Sequence, residues 1–340
     1  MEIPRFDFAY EEPDVGRQKV RLHFNENLFL PDEYYFEIEP DVKNDDVRYY
    51  TDPNNKKLAR KIEESLGLPN GTVVVTAGAD EGIRLSMQLA LHLRNDLVIV
   101  EPTYGMARVV ARQLGHMPRV LTYREDLSLD VDQLSKLQNS TVYICSPNNP
   151  TAHVVKELED VAARFKGLVI LDAAYAEYAD YWAPKYLEYG NVVEVRTFSK
   201  AWGLAGLRVG YVAAPPKIAE ALRVLSPPHP ISAVSALMVE NALERGRRYV
   251  EKSVRETHEV KRLVVDRLPF DKYHGPVNFI TLKIRDAETV AERLESEGFV
   301  VRVLGPKPLC QSCIRFTLAP MSIMEKFIEA LRRAIDLKTA

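Results

Sequence analysis

Leu168-Val169-Ile170-Leu171-Asp172-Ala173-Ala174-Tyr175 and, a short way on, Val192-Val193-Glu194-Val195-Arg196-Thr197-Phe198-Ser199-Lys200 decide the fold. Each is a strand-length run rich in β-branched and aliphatic residues that stops on polar side chains able to do chemistry. Similar runs occupy residues 72–76, 97–100, 119–123, 141–145 and 208–213. Helix-length amphipathic stretches at 80–93, 104–114, 130–137 and 155–165 separate most of them. Alternation of this kind predicts βαβ units and a largely parallel sheet of seven strands with helices on both faces. Some of the runs are continuously apolar, as strands buried on both faces require. The expected fold class is α/β.

Downstream, residues 232–268 read as a long helical region rich in Glu, Arg and Ala. Strand signals at 277–283, 299–303 and 314–318 follow, with helical ones at 287–298 and 322–336. The expected organisation is an N-terminal segment over 1–40, Pro- and acid-rich, that wraps the body and contributes to the site. A large α/β domain over 41–230 and a small α+β domain over 231–340 complete it. A chain of 340 residues is long enough for two such domains.

Lys+Arg 45 against Asp+Glu 48 leaves a net charge of −3, which argues against a nucleic-acid or anionic-membrane surface. The first residues carry acids where a secretory signal needs basic and then apolar ones, and no apolar run approaches bilayer length. A cytoplasmic location is expected. Three cysteines cannot build a disulfide framework, and Cys310-Gln-Ser-Cys313 lacks the second pair or histidines of a zinc site. It reads as a chance or redox pair. The seven histidines include no HExxH, so no metal is expected.

In open α/β sheets ligands bind beyond the carboxyl ends of the strands, so the residues there belong together. Gly78-Ala79-Asp80 joins a strand to a helix, where free N–H groups and the positive dipole end attract anions; Asp80 also suits a plain helix cap. Thr197, Ser199 and Arg208 could converge on a phosphate dianion. Lys200 could be an imine-forming amine, which requires desolvation. Asp172 ends an apolar strand, where a carboxylate needs a cation or donors; a protonated ring nitrogen is one partner. Tyr175 and Asn149 could donate to a ring oxygen and Tyr104 could stack on a ring face. Each residue has an ordinary packing explanation; their joint occurrence does not. GxGxxG and GxxxxGK[ST] are both missing, which disfavours dinucleotide and Walker-type sites.

Gly78-Ala79-Asp80-Glu81-Gly82, Pro102-Thr103-Tyr104-Gly105, Ser146-Pro147-Asn148-Asn149-Pro150-Thr151, Asp172-x-Ala174-Tyr175, Thr197-Phe198-Ser199-Lys200-Ala201 and Gly203-Leu204-Ala205-Gly206-Leu207-Arg208 together resemble the fold-type I pyridoxal-phosphate aminotransferases. Within that group the chain looks most like the histidinol-phosphate aminotransferase family, in order and spacing from about residue 23 to 317. The resemblance implies a pyridoxal 5'-phosphate cofactor bonded to Lys200, with Asp172 on the pyridinium nitrogen, Tyr175 and Asn149 on the ring oxygen, and Tyr104 stacked. Ala79, Asp80, Thr197, Ser199 and Arg208 would hold the phosphate. Tyr49, in Arg48-Tyr49-Tyr50-Thr51-Asp52-Pro53, would reach the partner subunit's cofactor, which implies a homodimer with shared sites. Asn25, in His23-Phe24-Asn25-Glu26-Asn27, Arg315, Arg302 and Tyr10 would bind substrate: Arg315 its α-carboxylate or counterpart, Arg302 a substrate phosphate. The implied reaction is ping-pong transamination from histidinol phosphate to 2-oxoglutarate, with threonine-phosphate decarboxylase or a broad aromatic or aspartate-type aminotransferase as alternatives. Asn27-Leu28, Thr151-Ala152 and Asp172-Ala173 depart from the family's Asn-Pro, Thr-Gly and Asp-Glu.

Overall fold

The computed structural model describes residues 18–306 and 308–336. Its strands in chain order are β1 (Val20–Arg21), β2 (Val73–Thr76), β3 (Asp96–Glu101), β4 (Arg119–Thr122), β5 (Ser140–Cys145), β6 (Leu168–Asp172), β7 (Val192–Thr197), β8 (Gly210–Ala213), β9 (Lys272–Tyr273), β10 (Phe279–Lys283), β11 (Phe299–Val300), β12 (Arg302–Leu304) and β13 (Cys313–Thr317). Seven form the large sheet in the order β2-β8-β7-β6-β5-β3-β4, and the ladders from β7 to β4 are all parallel. Only β8 runs against its neighbours β2 and β7. β6, whose five residues are all buried, is the middle strand.

Helices Ala79–His92, Met106–Gln113 and Pro216–Leu225 cover one face, burying Ile83, Leu85, Ala107, Val110, Ala219 and Leu222 against Ile99, Tyr143, Ile170 and Val195. Leu158–Arg164 and Val131–Ser135 cover part of the other face against Val142, Ile144, Val169 and Leu171. A second sheet, β12-β13-β10-β9, is antiparallel and packs on Ala287–Ser296, Met321–Asp336 and the end of Arg247–Arg267.

Two strand expectations are corrected, whereas the long helical region is present: Ala233–Asn241 and Arg247–Arg267 are joined by a π-helical segment, Ala242–Gly246. Gly246 leaves room for Tyr34, whose ring a Cβ there would meet at 2.8 Å. The strand expected over 299–303 is two, because Phe299–Val300 pairs parallel with Val20–Arg21 whereas Arg302–Leu304 pairs antiparallel with β13. The strand expected from Arg208 begins at Gly210, since Arg208 is left-handed at φ +53°. Cys310 and Cys313, the first residue of β13, are joined as a disulfide.

One charged cluster is fully enclosed. Arg196 on β7 is inaccessible to solvent and donates from Nε to Glu194 at 2.6 Å and from Nη1 to the Tyr181 carbonyl at 3.1 Å, with Glu177 at 3.5 Å. Its neighbour Thr197 faces the opposite side of the strand. Removing one partner from a buried pair strands the other's charge, at a cost of about 3–5 kcal/mol. Arg196→Met should therefore lower the unfolding free energy measured by urea denaturation by about that much; an unchanged free energy would mean that the enclosed cluster adds nothing net to stability.

Candidate active site

Sheet register brings the chemistry to one edge. Cys145 lies opposite Asp172 at the ends of β5 and β6, and Thr76 and Thr197 both lie opposite Gly210. The loops leaving these strands therefore meet above the middle of the sheet. They line a cavity of about 580 Å³ with Arg21, residues 23–26, Arg302–Gly305 and Arg315. That volume suits a cofactor-sized ligand with a substrate. Ala79, Asp80, Tyr104, Asn149, Asp172, Tyr175, Thr197, Ser199, Lys200, Arg208, Asn25, Arg302 and Arg315 all line it. Tyr49 does not; it is 63% exposed on the surface. Tyr10 lies outside the described residues.

Asp172, 2% exposed, accepts the Tyr143 hydroxyl at 2.6 Å and the Ala174 N–H at 3.1 Å. Burial raises its pKa to about 6, with Asp80 adding to the rise, while those two donors and Lys200 oppose it. Lys200 Nζ donates to the Phe24 carbonyl at 2.7 Å. Burial first, then the Arg315 charge, lowers its pKa to about 8. The cavity thus holds an amine that readily becomes nucleophilic and a carboxylate kept available for a cationic partner. Tyr175, raised by burial, accepts the Asn25 amide at 2.8 Å and keeps its proton to donate. Asn149 Oδ1 accepts from Arg315 Nη1 at 2.7 Å, which leaves the amide's Nδ2 side for a ligand.

A second corner surrounds the start of helix Ala79–His92. Asp80 sits inside the first turn rather than at the cap, which is Gly78. Its carboxylate accepts the Tyr104 hydroxyl at 3.1 Å and faces Arg208 at 3.6 Å. Arg208 Nη1 lies 3.5 Å from Ser199 Oγ, and Thr197 Oγ1 accepts the Ser199 N–H at 3.1 Å. A Cβ at Gly78 would stand 2.7 Å from Arg208 Nη2, and one at Gly210 would stand 2.7 Å from the Gly78 carbonyl carbon. The corner therefore exists only because these two positions carry no side chain. Helix N–H groups, two hydroxyls and a guanidinium give it the chemistry to bind a phosphate.

The far wall comes from the small sheet. Arg302 and Arg315 are register partners across the antiparallel pair β12 and β13, so both project to one face. Arg315 Nη2 donates to the His23 carbonyl at 2.7 Å, and Arg21 pairs with Glu26 at 3.0 Å. Sequence reasoning did not single out Tyr143, whose only signal is a tyrosine in an otherwise small and aliphatic strand. It quoted His23 and Glu26 within a motif but gave them no role.

Residues 17–331 match the model of the aminotransferase class I and II family, so the chain belongs to that family and is a pyridoxal-phosphate-dependent aminotransferase of fold type I. Its relatives include a histidinol-phosphate aminotransferase of a Thermoanaerobacter species, 30% identical over 329 residues that cover 93% of each chain. Another, from Haemophilus influenzae, is 28% identical over 338 residues and covers 92% of this chain and 93% of the relative. Among solved structures, the histidinol-phosphate aminotransferase of Sinorhizobium meliloti in complex with pyridoxal-5'-phosphate superposes with a TM-score of 0.85 at 24% identity, covering 99% of both chains. The L-threonine-O-3-phosphate decarboxylase of Porphyromonas gingivalis gives 0.76 at 19% identity, covering 92% and 98%. The cavity fits the cofactor: a buried carboxylate and a desolvated amine flank one end, and the glycine-lined phosphate corner forms the other.

Two outcomes follow from the electrostatics. Because Lys200 is neutral above about pH 8, the rate at which cofactor-free protein bonds pyridoxal phosphate, read by absorbance, should rise through that pH. A midpoint near the ordinary lysine value would show a hydrated amine. Tyr143→Phe removes a hydrogen bond to a charged acceptor, typically about 1.5–3 kcal/mol, and pushes Asp172 further above pH 6. Cofactor affinity measured by equilibrium dialysis should fall roughly tenfold, more at low pH than high, since the ionised carboxylate is lost first as pH falls.

Proposed function

We propose that this enzyme transfers the amino group of L-histidinol phosphate to 2-oxoglutarate, as a cytoplasmic homodimer with shared sites. The observation that carries the substrate reading is the pairing of Arg302 with Arg315 on the cavity wall. Two guanidiniums there can receive anionic groups that the phosphate corner does not engage. Arg302 takes the donor's phosphate; Arg315 takes the α-carboxylate of 2-oxoglutarate or its counterpart on the donor. The family names of the relatives agree with this choice of donor.

Bound in the cavity, pyridoxal phosphate supplies the electron sink that side chains lack. The chain's own residues do the rest. Ala79 and Asp80 main chain, Thr197, Ser199 and Arg208 would bind the cofactor's phosphate. Asp172, held by Tyr143, would pair with the ring nitrogen. Tyr175, held by Asn25, and Asn149 would meet the ring oxygen, and Tyr104 would lie against the ring. Lys200 would take the proton from the donor's Cα and pass it to the carbon that receives the nitrogen. Donor and acceptor occupy the same site in turn, which gives ping-pong kinetics.

Exposed apolar side chains gather in the stretch that holds Tyr49: Phe36 is 73% exposed, Val47 71% and Tyr50 87%. An apolar surface of this kind supports self-association. It also leaves Tyr49 free to reach a partner's site. Among the described residues no helix is long and apolar enough to cross a membrane.

The decisive experiment mixes yellow holoenzyme with L-histidinol phosphate in the absence of keto acid. The cofactor's long-wavelength absorbance should bleach and return on adding 2-oxoglutarate, L-histidinol should respond weakly, and Lys200→Ala should bind cofactor without turnover. Bleaching only by unphosphorylated aromatic or acidic amino acids would overturn the donor, and carbon dioxide release from L-threonine phosphate would make the enzyme a decarboxylase.

A further inference from the structure

A tight turn after β5 presents Asn149 to the cavity, and Asn148 closes it. The Asn148 N–H donates to the His153 carbonyl at 2.8 Å, and its carbonyl accepts the Ala152 N–H at 2.7 Å. Its fully buried side chain donates from Nδ2 to the Thr151 hydroxyl at 2.6 Å and to the Pro102 carbonyl at 2.8 Å. These bonds tie the ends of the turn to each other and to the loop after β3. The middle, Asn149 and Pro150, is held from a different quarter. Pro150 has no N–H, so its main chain can be gripped through the carbonyl alone.

The small sheet supplies that grip. Thr281 on β10, fully buried, donates its hydroxyl to the Pro150 carbonyl at 2.8 Å. Ile280 and Leu282 on either side belong to the apolar layer of the small sheet, so strand alternation turns Thr281 the other way. Thr281 is the register partner of Arg315, and Arg315 donates to Asn149. Two adjacent side chains of one sheet row thus hold two consecutive residues of the turn. Gly275 keeps the approach close, since a Cβ there would stand 1.9 Å from the Ala152 carbonyl oxygen. Arg315 lines the cavity and Thr281 does not, so whatever Thr281 does to a ligand passes through the turn.

We infer that Thr281 is a positioning residue: its hold on Pro150 sets where the Asn149 amide stands against the cofactor's ring oxygen, and thereby how firmly the bound cofactor keeps its proton. This rests on the reading of Asn149 given above and adds the residue, from the other sheet, that aims it. A donor on the ring oxygen stabilises negative charge there, and an amide that retreats leaves that charge to hold a proton more firmly.

The experiment titrates holoenzyme with pH and follows the cofactor's long-wavelength absorbance, a readout that needs no turnover. Thr281→Val keeps the shape of the side chain and removes its O–H. The absorbance midpoint should rise by roughly half a unit, about a threefold gain in proton affinity, and Thr281→Ser, which keeps the hydroxyl, should return it to the wild-type value. Thr281→Ala gives the same comparison should the valine variant not hold cofactor. Asn149→Ala is the reference and should raise the midpoint at least as far. A Thr281→Val protein that is less stable to urea but has an unmoved midpoint overturns the inference, as does a shift that serine fails to reverse. If Asn149→Ala moves the midpoint and Thr281→Val does not, the reading of Asn149 stands and the inference alone falls. If Asn149→Ala itself leaves the midpoint in place, that reading falls and takes the inference with it.

Discussion

A carboxylate at the end of the middle strand of a seven-stranded sheet is the constraint around which the rest is arranged. Asp172 is flanked on both sides by strands and on both faces by packed apolar layers, so water cannot solvate its charge. Left alone it would take up a proton and lose its use as a counter-ion. Tyr143 and the Ala174 N–H oppose that rise, and the cationic ring of the proposed function would complete the balance. The same dryness lowers the Lys200 ammonium. One environment thereby prepares an acid and a base in opposite senses.

The anion sites differ in construction. The corner at Gly78 and Arg208 is made largely of main chain and short side chains, and close backbone approaches at Gly78 and Gly210 set its shape. It suits a group that remains bound through every cycle. The wall of Arg21, His23, Arg302 and Arg315 is made of long side chains from the small sheet and a strand far away in sequence. It suits groups that arrive and leave, as the proposed donor and acceptor would.

Most of the large sheet was legible because strands buried on both faces must be continuously apolar, and the polar residues that end them stand out against that background. Asp172, Lys200, Tyr175 and the start of the glycine-led helix, which the reading grouped by their place after the strands, all line the cavity. It misjudged Arg208 as a strand residue, since a left-handed turn leaves no mark in hydrophobic pattern. It treated 299–303 as one strand because the change of partner at Val301 depends on where residues 20–21 and 313–317 settle, which is information distant in sequence. Tyr143 went unnoticed for a related reason: a tyrosine in a core strand looks like packing until the strand beside it supplies an acid.

The segment from Val20 to Asn27 is made long before the residues it pairs with, and it is among the last to find its place. Its ladder partner is Phe299–Val300, its carbonyl at Leu22 meets Thr317, and Phe24 reaches Lys200. At synthesis rates of roughly 5–20 residues per second, close to 300 residues of chain take about 15–60 s to appear. For that interval the large sheet can assemble on the ribosome, but His23, Asn25 and the wall they share with Arg315 have nothing to join. A cavity lined by residues from Arg21 to Arg315 is therefore a late event in the life of each molecule, and a growing chain has no finished active site in which to trap cofactor or substrate.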